Sequence, residues 1–223
     1  MAGDDDRSTE RAEMVEQIML HGQVAAGERG GITLSPRVLQ AMGTVPRHEF
    51  VPEEVSEFAY ADSPLPIGQG KTISQPFIVA LMVELLDIQP EDRVLEVGTG
   101  LGYHAAVLAS LAGEVYTVEL IPELAESAAG RLVRAGAANV TVRAGDGGRG
   151  WKEHAPFDKI SAAAAPEHVP PALLEQLRPG GRLVLPLGPF DEQTLVLMTR
   201  DEDGDTTTTR ILPVRFSTLT LTH

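Results

Sequence analysis

The chain contains no cysteine, which excludes disulfide bonds, thiol nucleophiles and thiolate metal sites together. It also lacks any apolar run near the ~20 residues that a membrane-spanning helix requires. Basic residues are scarce: 18 Lys and Arg stand against 32 Asp and Glu, a formal net charge of −14. Such a chain repels a phosphate backbone on average, and no basic run offsets the imbalance, so no nucleic-acid partner is expected. The acidity reads most simply as a soluble surface. Met1 through Asp6 are polar and acidic, without the basic-then-apolar pattern of a secretory signal. His21, His48, His154, His168 and His223 are scattered, with no H-x-H or H-E-x-x-H spacing, so no metal site is expected. A cytoplasmic monomer that does not engage membranes is the expectation that these absences leave.

What is present suits a single sizeable core: 223 residues, 43% of them apolar. Residues 1 to about 10 read as disordered, and helical spacing of Met14, Val15 and Ile18 predicts a helix over 11–21. Glycines in 22–31 predict a loop, and Ser35-Pro36 marks the start of a second helix. The stretch 46–74 is rich in Pro and Gly and reads as irregular, apart from a helical piece at 52–60; so long a segment in a compact enzyme is usually functional. Pro76 opens an apolar helix over 77–86. Strands are then predicted at 93–97, 114–119, 139–144, 157–163, 182–187 and 193–199, with helices at 104–112, 122–135 and 170–177. This rhythm predicts an α/β fold with a doubly wound, Rossmann-like sheet, mostly parallel. An acidic turn at 201–205 leads to a last strand at 211–221, an antiparallel C-terminal hairpin. Residues 1–75 are expected to form a helical and substrate-loop cap on a cofactor-binding catalytic domain at 76–223, the two making one compact unit.

Three strand ends carry the chemistry. The first predicted sheet strand runs into Glu96-x-Gly98-Thr99-Gly100-x-Gly102. Glycines suit a tight turn where backbone approaches a ligand in front of a helix N-terminus, although tight packing alone also selects them. Tyr103 stands where a dinucleotide fingerprint has its third glycine. Glu119 ends the second strand, placed for two ribose hydroxyls or simply exposed there. Asp146-Gly147 ends the third, placed for an adenine amino group or for an Asp-Gly turn. Together they point to one ligand, an adenosine without a pyrophosphate.

These residues resemble the cofactor motifs of class I S-adenosylmethionine methyltransferases. Val45-Pro46-Arg47-His48-x-Phe50-Val51-Pro52, Pro64-Leu65-Pro66-Ile67-Gly68 and Thr72-Ile73-Ser74-Gln75-Pro76 resemble, more narrowly, the protein-L-isoaspartate O-methyltransferase family. Ala163-Ala164-Ala165-Pro166, Gly180-Gly181-Arg182-Leu183 and Val214-Arg215-Phe216 are similar too, so the likeness runs from about Ser35 to Leu219. It implies S-adenosyl-L-methionine as cofactor and S-adenosyl-L-homocysteine as product, held by Glu96, Gly98, Thr99, Gly100, Gly102, Glu119, Asp146 and Gly147. It implies an isoaspartyl peptide or protein as substrate, its carboxylate oriented by Ser74 and Thr72 under a 64–74 loop that covers the cofactor. Ile73, Gln75, Ala163 and Val214 are further expected substrate contacts. A carboxylate with an ordinary pKa near ~4 is ionised at neutral pH, so the reaction needs positioning and no strong base. The ester would cyclise to a succinimide that hydrolyses partly to normal aspartate.

Ser74 has a second reading, as cap of the helix that Pro76 opens. The chain departs from the family pattern at an insertion over 23–34, at His104 where Gln is common, at Ser161-Ala162 and at Ser217-Thr218. His104 and the lone Trp151 read as packing residues. The departures keep an alternative open: a dedicated relative that methylates a normal aspartate of one biosynthetic peptide to form an aspartimide. A non-catalytic cofactor-binding module is a third reading, opposed by the intact Ser74 and Thr72.

Overall fold

Helix α1 (Ser8–Ala25) is longer at both ends than the sequence pattern predicts, because Met14, Ile18 and Gly22 bury one stripe at i, i+4 and i+8. The stripe carries the helix through Gly22, where a loop is expected. The computed structural model describes residues 7–25 and 33–220; residues 1–6 and most of the expected insertion at 23–34 lie outside them. Helix α2 (Pro36–Thr44) starts as its sequence predicts: Pro36 takes the first position and the Val38 amide donates to Ser35 Oγ at 3.4 Å. Two 3₁₀ turns follow, Arg47–Phe50 and Glu53–Phe58, the second replacing the helix expected at 52–60.

The stretch read as irregular contains a small antiparallel hairpin, β1 (Leu65–Gly68) and β2 (Lys71–Ile73). Its turn runs through Gly68, Gln69 and Gly70, all with positive φ, a left-handed bend that the two glycines make accessible. Alternation is visible in β1, with Leu65 and Ile67 buried and Pro66 and Gly68 exposed, but four residues are too few to announce a strand. Helix α3 (Pro76–Leu86) then buries most of its surface.

The main sheet contains β3 (Arg93–Val97), β4 (Glu114–Glu119), β5 (Val140–Ala144), β6 (Phe157–Ala162), β7 (Leu177–Leu187), β8 (Gln193–Arg200) and β9 (Thr206–Val214), in the order β5-β4-β3-β6-β7-β8-β9. Pairings from β5 through β7 are parallel; β7–β8 and β8–β9 are antiparallel. Helices α4 (Tyr103–Ala109), α5 (Pro122–Arg134) and α6 (Pro171–Gln176) supply crossovers. The order reverses between β3 and β6, which opens a crevice at their carboxyl ends. One face packs Val94, Val115 and Val184 against α1 through α5; the other packs Leu95, Tyr116 and Ile160 with Trp151 and Leu173. Residues on both sides of position 75 share the first of these clusters.

The last strand departs from its predicted place. Asp201 Oδ1 accepts the amides of Asp203 and Asp205, which tightens the turn so that pairing resumes at Thr206 opposite Arg200. Four threonines therefore form the start of β9, where β-branched side chains suit a strand. After Val214 the chain leaves β8, and residues near 218 pair with Ala165 beyond β6.

Candidate active site

The crevice at the switch point is a cavity walled by the turn after β3, the end of β4, the β1–β2 hairpin and the segment 217–220. Gly98, Gly100 and Gly102 have φ of +92°, +56° and +97°, so the turn reverses direction within five residues. A Cβ at Gly100 would lie 3.1 Å from Ile67 Cδ1, because the hairpin rests on the turn from above. A Cβ at Gly147 would fall 2.5 Å from Val97 Cγ1, so that glycine serves the packing of two strand ends.

Glu119, buried at the end of β4, accepts the Gly100 amide at 2.8 Å and the Ile121 amide at 3.0 Å. Beneath the turn lies a polar cluster that the register of three strands assembles: Glu96 stands opposite Thr117 on β4 and Ser161 on β6. The Thr117 hydroxyl donates to Glu96 Oε2 at 2.5 Å and lies 2.5 Å from the Thr99 hydroxyl. Burial, with a smaller contribution from the Glu119 charge, pushes the Glu96 carboxyl up to about 8 despite the Thr117 bond. Burial pushes His104 down to about 4. Both are therefore uncharged at neutral pH, and their 3.7 Å approach is a contact of neutral groups rather than an ion pair. Glu96 Oε1, His104 Nε2 and Ser161 Oγ are buried without a hydrogen-bond partner among the described residues, polar atoms available to a polar ligand or water.

Of the residues singled out by sequence, Gly98, Thr99, Gly100, Glu119, Gly147, Thr72, Ile73, Ser74 and Ala163 line this cavity. Glu96 and Gly102 do not line it: Glu96 is fully buried, and a Cβ at Gly102 would meet Leu132 of α5 at 3.1 Å. Asp146 is not among the residues that line it: Oδ1 accepts the Gly148 amide at 2.9 Å, the turn role that its Asp-Gly sequence also allowed. Gln75 and Val214 line a neighbouring cleft, with Ile78, Arg215 and Phe216. Thr72, Ser74, Ala163 and Ser217 border both spaces. Ser74 does not cap α3. The cap position belongs to Gln75, whose side chain makes no capping bond, and the Phe77 amide instead donates to Asp62 Oδ1 at 2.8 Å.

The sequence model of the family "Protein-L-isoaspartate(D-aspartate) O-methyltransferase" matches residues 22–223. The chain belongs to this family. Protein-L-isoaspartate O-methyltransferase 2 of Syntrophobacter fumaroxidans is 53% identical over 223 residues, covering all of this chain and 90% of the relative. Protein-L-isoaspartate O-methyltransferase 1 of Cupriavidus necator is 51% identical, covering 100% and 86%. A solved protein-L-isoaspartate O-methyltransferase superposes with a TM-score of 0.81 at 28% identity, over 93% of this chain and 65% of that one. The Plasmodium falciparum β-aspartate methyltransferase, solved with S-adenosyl-L-homocysteine, has the same fold, with a TM-score of 0.79 at 23% identity over 94% and 98%.

The methyltransferase fold is also held by residues to which the sequence alone assigns no role. Asp62, in the 59–63 stretch, binds the Gln75 side chain at 3.1 Å as well as the Phe77 amide, and contacts His21 of α1. Arg47 is fully buried and donates to three backbone carbonyls. Neither long-range pairing leaves a local sequence signal. Trp151 packs between Tyr116 and Arg143, as expected of a packing residue. Among the described residues no group of His, Asp and Glu is arranged for a metal ion, and no helix is long and apolar enough to cross a membrane.

Proposed function

We propose that this methyltransferase esterifies the α-carboxylate of L-isoaspartyl residues in peptides and proteins, which leads through a succinimide to repair. One observation supports this reading above the others: Ser74 and Thr72 form the wall common to the two adjoining spaces. With the cofactor in the glycine-walled cavity and a peptide in the cleft, that wall is where their reacting atoms meet. When bound, S-adenosyl-L-methionine supplies an electrophilic sulfonium methyl group.

The chain's own contribution is positional. In our reading Glu119 accepts from the ribose hydroxyls, Asp146 from the adenine amino group, and the turn 98–102 approaches the cofactor by its backbone. Among the described residues the Ser74 hydroxyl makes no hydrogen bond, and in our reading it donates to the substrate carboxylate; Thr72 stands beside it. Ile73, Gln75, Ala163 and Val214 line the path of the peptide. The attacking carboxylate oxygen arrives ionised and loses no proton, so His104, held neutral and buried, has no base role to fill. The hairpin over Gly100 excludes water, and residues 1–75 serve as a cap on the catalytic sheet of 76–223. We assign the enzyme to the cytoplasm as a monomer without nucleic-acid partners, in keeping with its acidity and lack of cysteine.

Methyl transfer from labelled cofactor to two matched peptides, one with isoaspartate and one with aspartate, tests the assignment. Preference for the isoaspartyl peptide is expected. Transfer to neither, with cofactor binding intact by calorimetry, would reject general repair in favour of one dedicated peptide.

A further inference from the structure

Arg47 lies in the 3₁₀ turn after α2, far in sequence from the residues assigned to substrate and cofactor, and has no solvent exposure. Its Nε donates to the Ala59 carbonyl at 2.8 Å, and Nη2 donates to the Ser74 carbonyl at 2.9 Å, with Ser63 O at 3.5 Å. The guanidinium carbon sits 4.8 Å from the centroid of the Tyr103 ring. Tyr103 is the first residue of α4 and directly follows Gly102 of the glycine-rich turn. One cation thus touches the backbone of the residue that presents the hydroxyl and the helix that rises from the cofactor turn.

A buried charge is a weak device for stability, since apolar side chains of like volume commonly serve as well. Burial pushes this guanidinium down to about 10, so it stays protonated at neutral pH, and among the described residues no carboxylate is in hydrogen-bond contact with it. Its bonds go instead to carbonyls, whose positions a planar fork can fix and a lysine ammonium cannot. The Ala59 and Ser63 carbonyls flank Asp62, and Asp62 holds the Gln75 side chain and the Phe77 amide. The backbone around Ser74 is therefore gripped on one side by Arg47 and on the other by Asp62. No other hydrogen bond from a side chain reaches the Ser74 backbone among the described residues.

We infer that Arg47 is a positioning residue for methyl transfer: by fixing the Ser74 carbonyl against Tyr103, it sets the distance between the substrate-binding hydroxyl and the cofactor turn. The inference rests on the proposed role of the Ser74 hydroxyl. Displacing that hydroxyl by even a fraction of an ångström lowers turnover without removing a contact to the cofactor.

A double-mutant cycle tests it, with Arg47→Lys, Ser74→Ala and the double variant assayed on an isoaspartyl peptide. Cofactor Kd by calorimetry and thermal midpoints are measured alongside. Arg47→Lys is expected to lower kcat by about tenfold or more, with cofactor Kd within about twofold. In the Ser74→Ala background the same change is expected to cost nothing further, because the hydroxyl it places is gone. Losses that multiply in the double variant overturn the positioning role while leaving that of Ser74 intact. A change confined to cofactor Kd also overturns it, assigning Arg47 to the Tyr103 helix. Full turnover by Ser74→Ala overturns the reading of the hydroxyl itself, and this inference with it. If Arg47→Lys does not fold, Arg47→Gln, which retains donors without charge, takes its place in the cycle with the same criteria.

Discussion

Glu119 holds the glycine-rich turn by its backbone: one carboxylate oxygen accepts the Gly100 amide at 2.8 Å, and the other accepts the Ile121 amide. The carboxylate thus arrives at the cavity wall already oriented, its remaining lone pairs free for two hydroxyls. Replacing it removes the tie that shapes the turn and, on the proposed reading, a contact to the cofactor.

Glu119→Ala is therefore expected to raise the cofactor Kd by at least about tenfold, given ~1.5–3 kcal/mol for a hydrogen bond to a charged group. Calorimetric titration with S-adenosyl-L-homocysteine reads this directly. An unchanged Kd would remove Glu119 from the cofactor site.

Ser74→Ala tests the other wall. The hydroxyl makes no capping bond to α3, so the thermal midpoint should move little. On the proposed reading, loss of one donor to the substrate carboxylate predicts a fall in turnover of roughly 10²-fold, by analogy with single donors at other acyl and anion sites. Cofactor affinity should stay within about twofold. Steady-state kinetics with an isoaspartyl peptide decides the matter: undiminished turnover makes the hydroxyl dispensable.

Asp62 does what Ser74 does not. Its side chain caps α3 from outside the helix, at 2.8 Å from the Phe77 amide. Asp62→Ala leaves that amide and the Gln75 side chain without partners and should cost ~1–2 kcal/mol of stability. Urea unfolding measures the loss, and a value indistinguishable from wild type would mean that water substitutes fully.

Stability of the ligand-free protein should depend on pH through Glu96. Its carboxyl is raised in the folded state to about 8 by burial, so its contribution is complete below the ordinary carboxylate range and is lost as pH rises through about 8. In the upper part of that window the loss approaches ~1 kcal/mol per pH unit. His104, lowered to about 4, acts in the opposite sense: its contribution is present above its ordinary 6.5 and is lost as pH falls towards 4. Measurements from about pH 7 upward therefore isolate Glu96. Glu96→Gln, uncharged at every pH and still able to accept from Thr117, should abolish that decline in urea titrations. A decline of equal slope in the variant would assign it to other groups.

Much of this architecture is legible in the sequence because its signals are local. Val94, Leu95 and Val97 make a buried parallel strand obvious, and the glycines at 98, 100 and 102 mark the turn that follows. The same locality explains the misses. The β1–β2 hairpin is short and its strands alternate over too few residues, so Pro64, Pro66 and the glycines read as loop. Strand β9 begins five residues early because Asp201 closes the turn with its own side chain. Arg47 and Asp62 act on residues 27 and 15 positions away, and no spacing rule connects such pairs. Glu96 is visible in the sequence as the acidic residue before the glycine-rich turn, yet its burial, which raises its carboxyl, is created only by the packed sheet.

The wall shared by the two spaces has a consequence for which damaged sites are accessible. On the proposed reading, a carboxylate enters between Thr72, Ser74, Ala163 and Ser217, with its own backbone left outside in the cleft. Rigid helices and strands keep their peptide chains too encumbered for that approach, whereas frayed termini and slack surface segments can thread a side group inward. On that reading, recognition gauges the local pliancy of a polypeptide more than its flanking sequence.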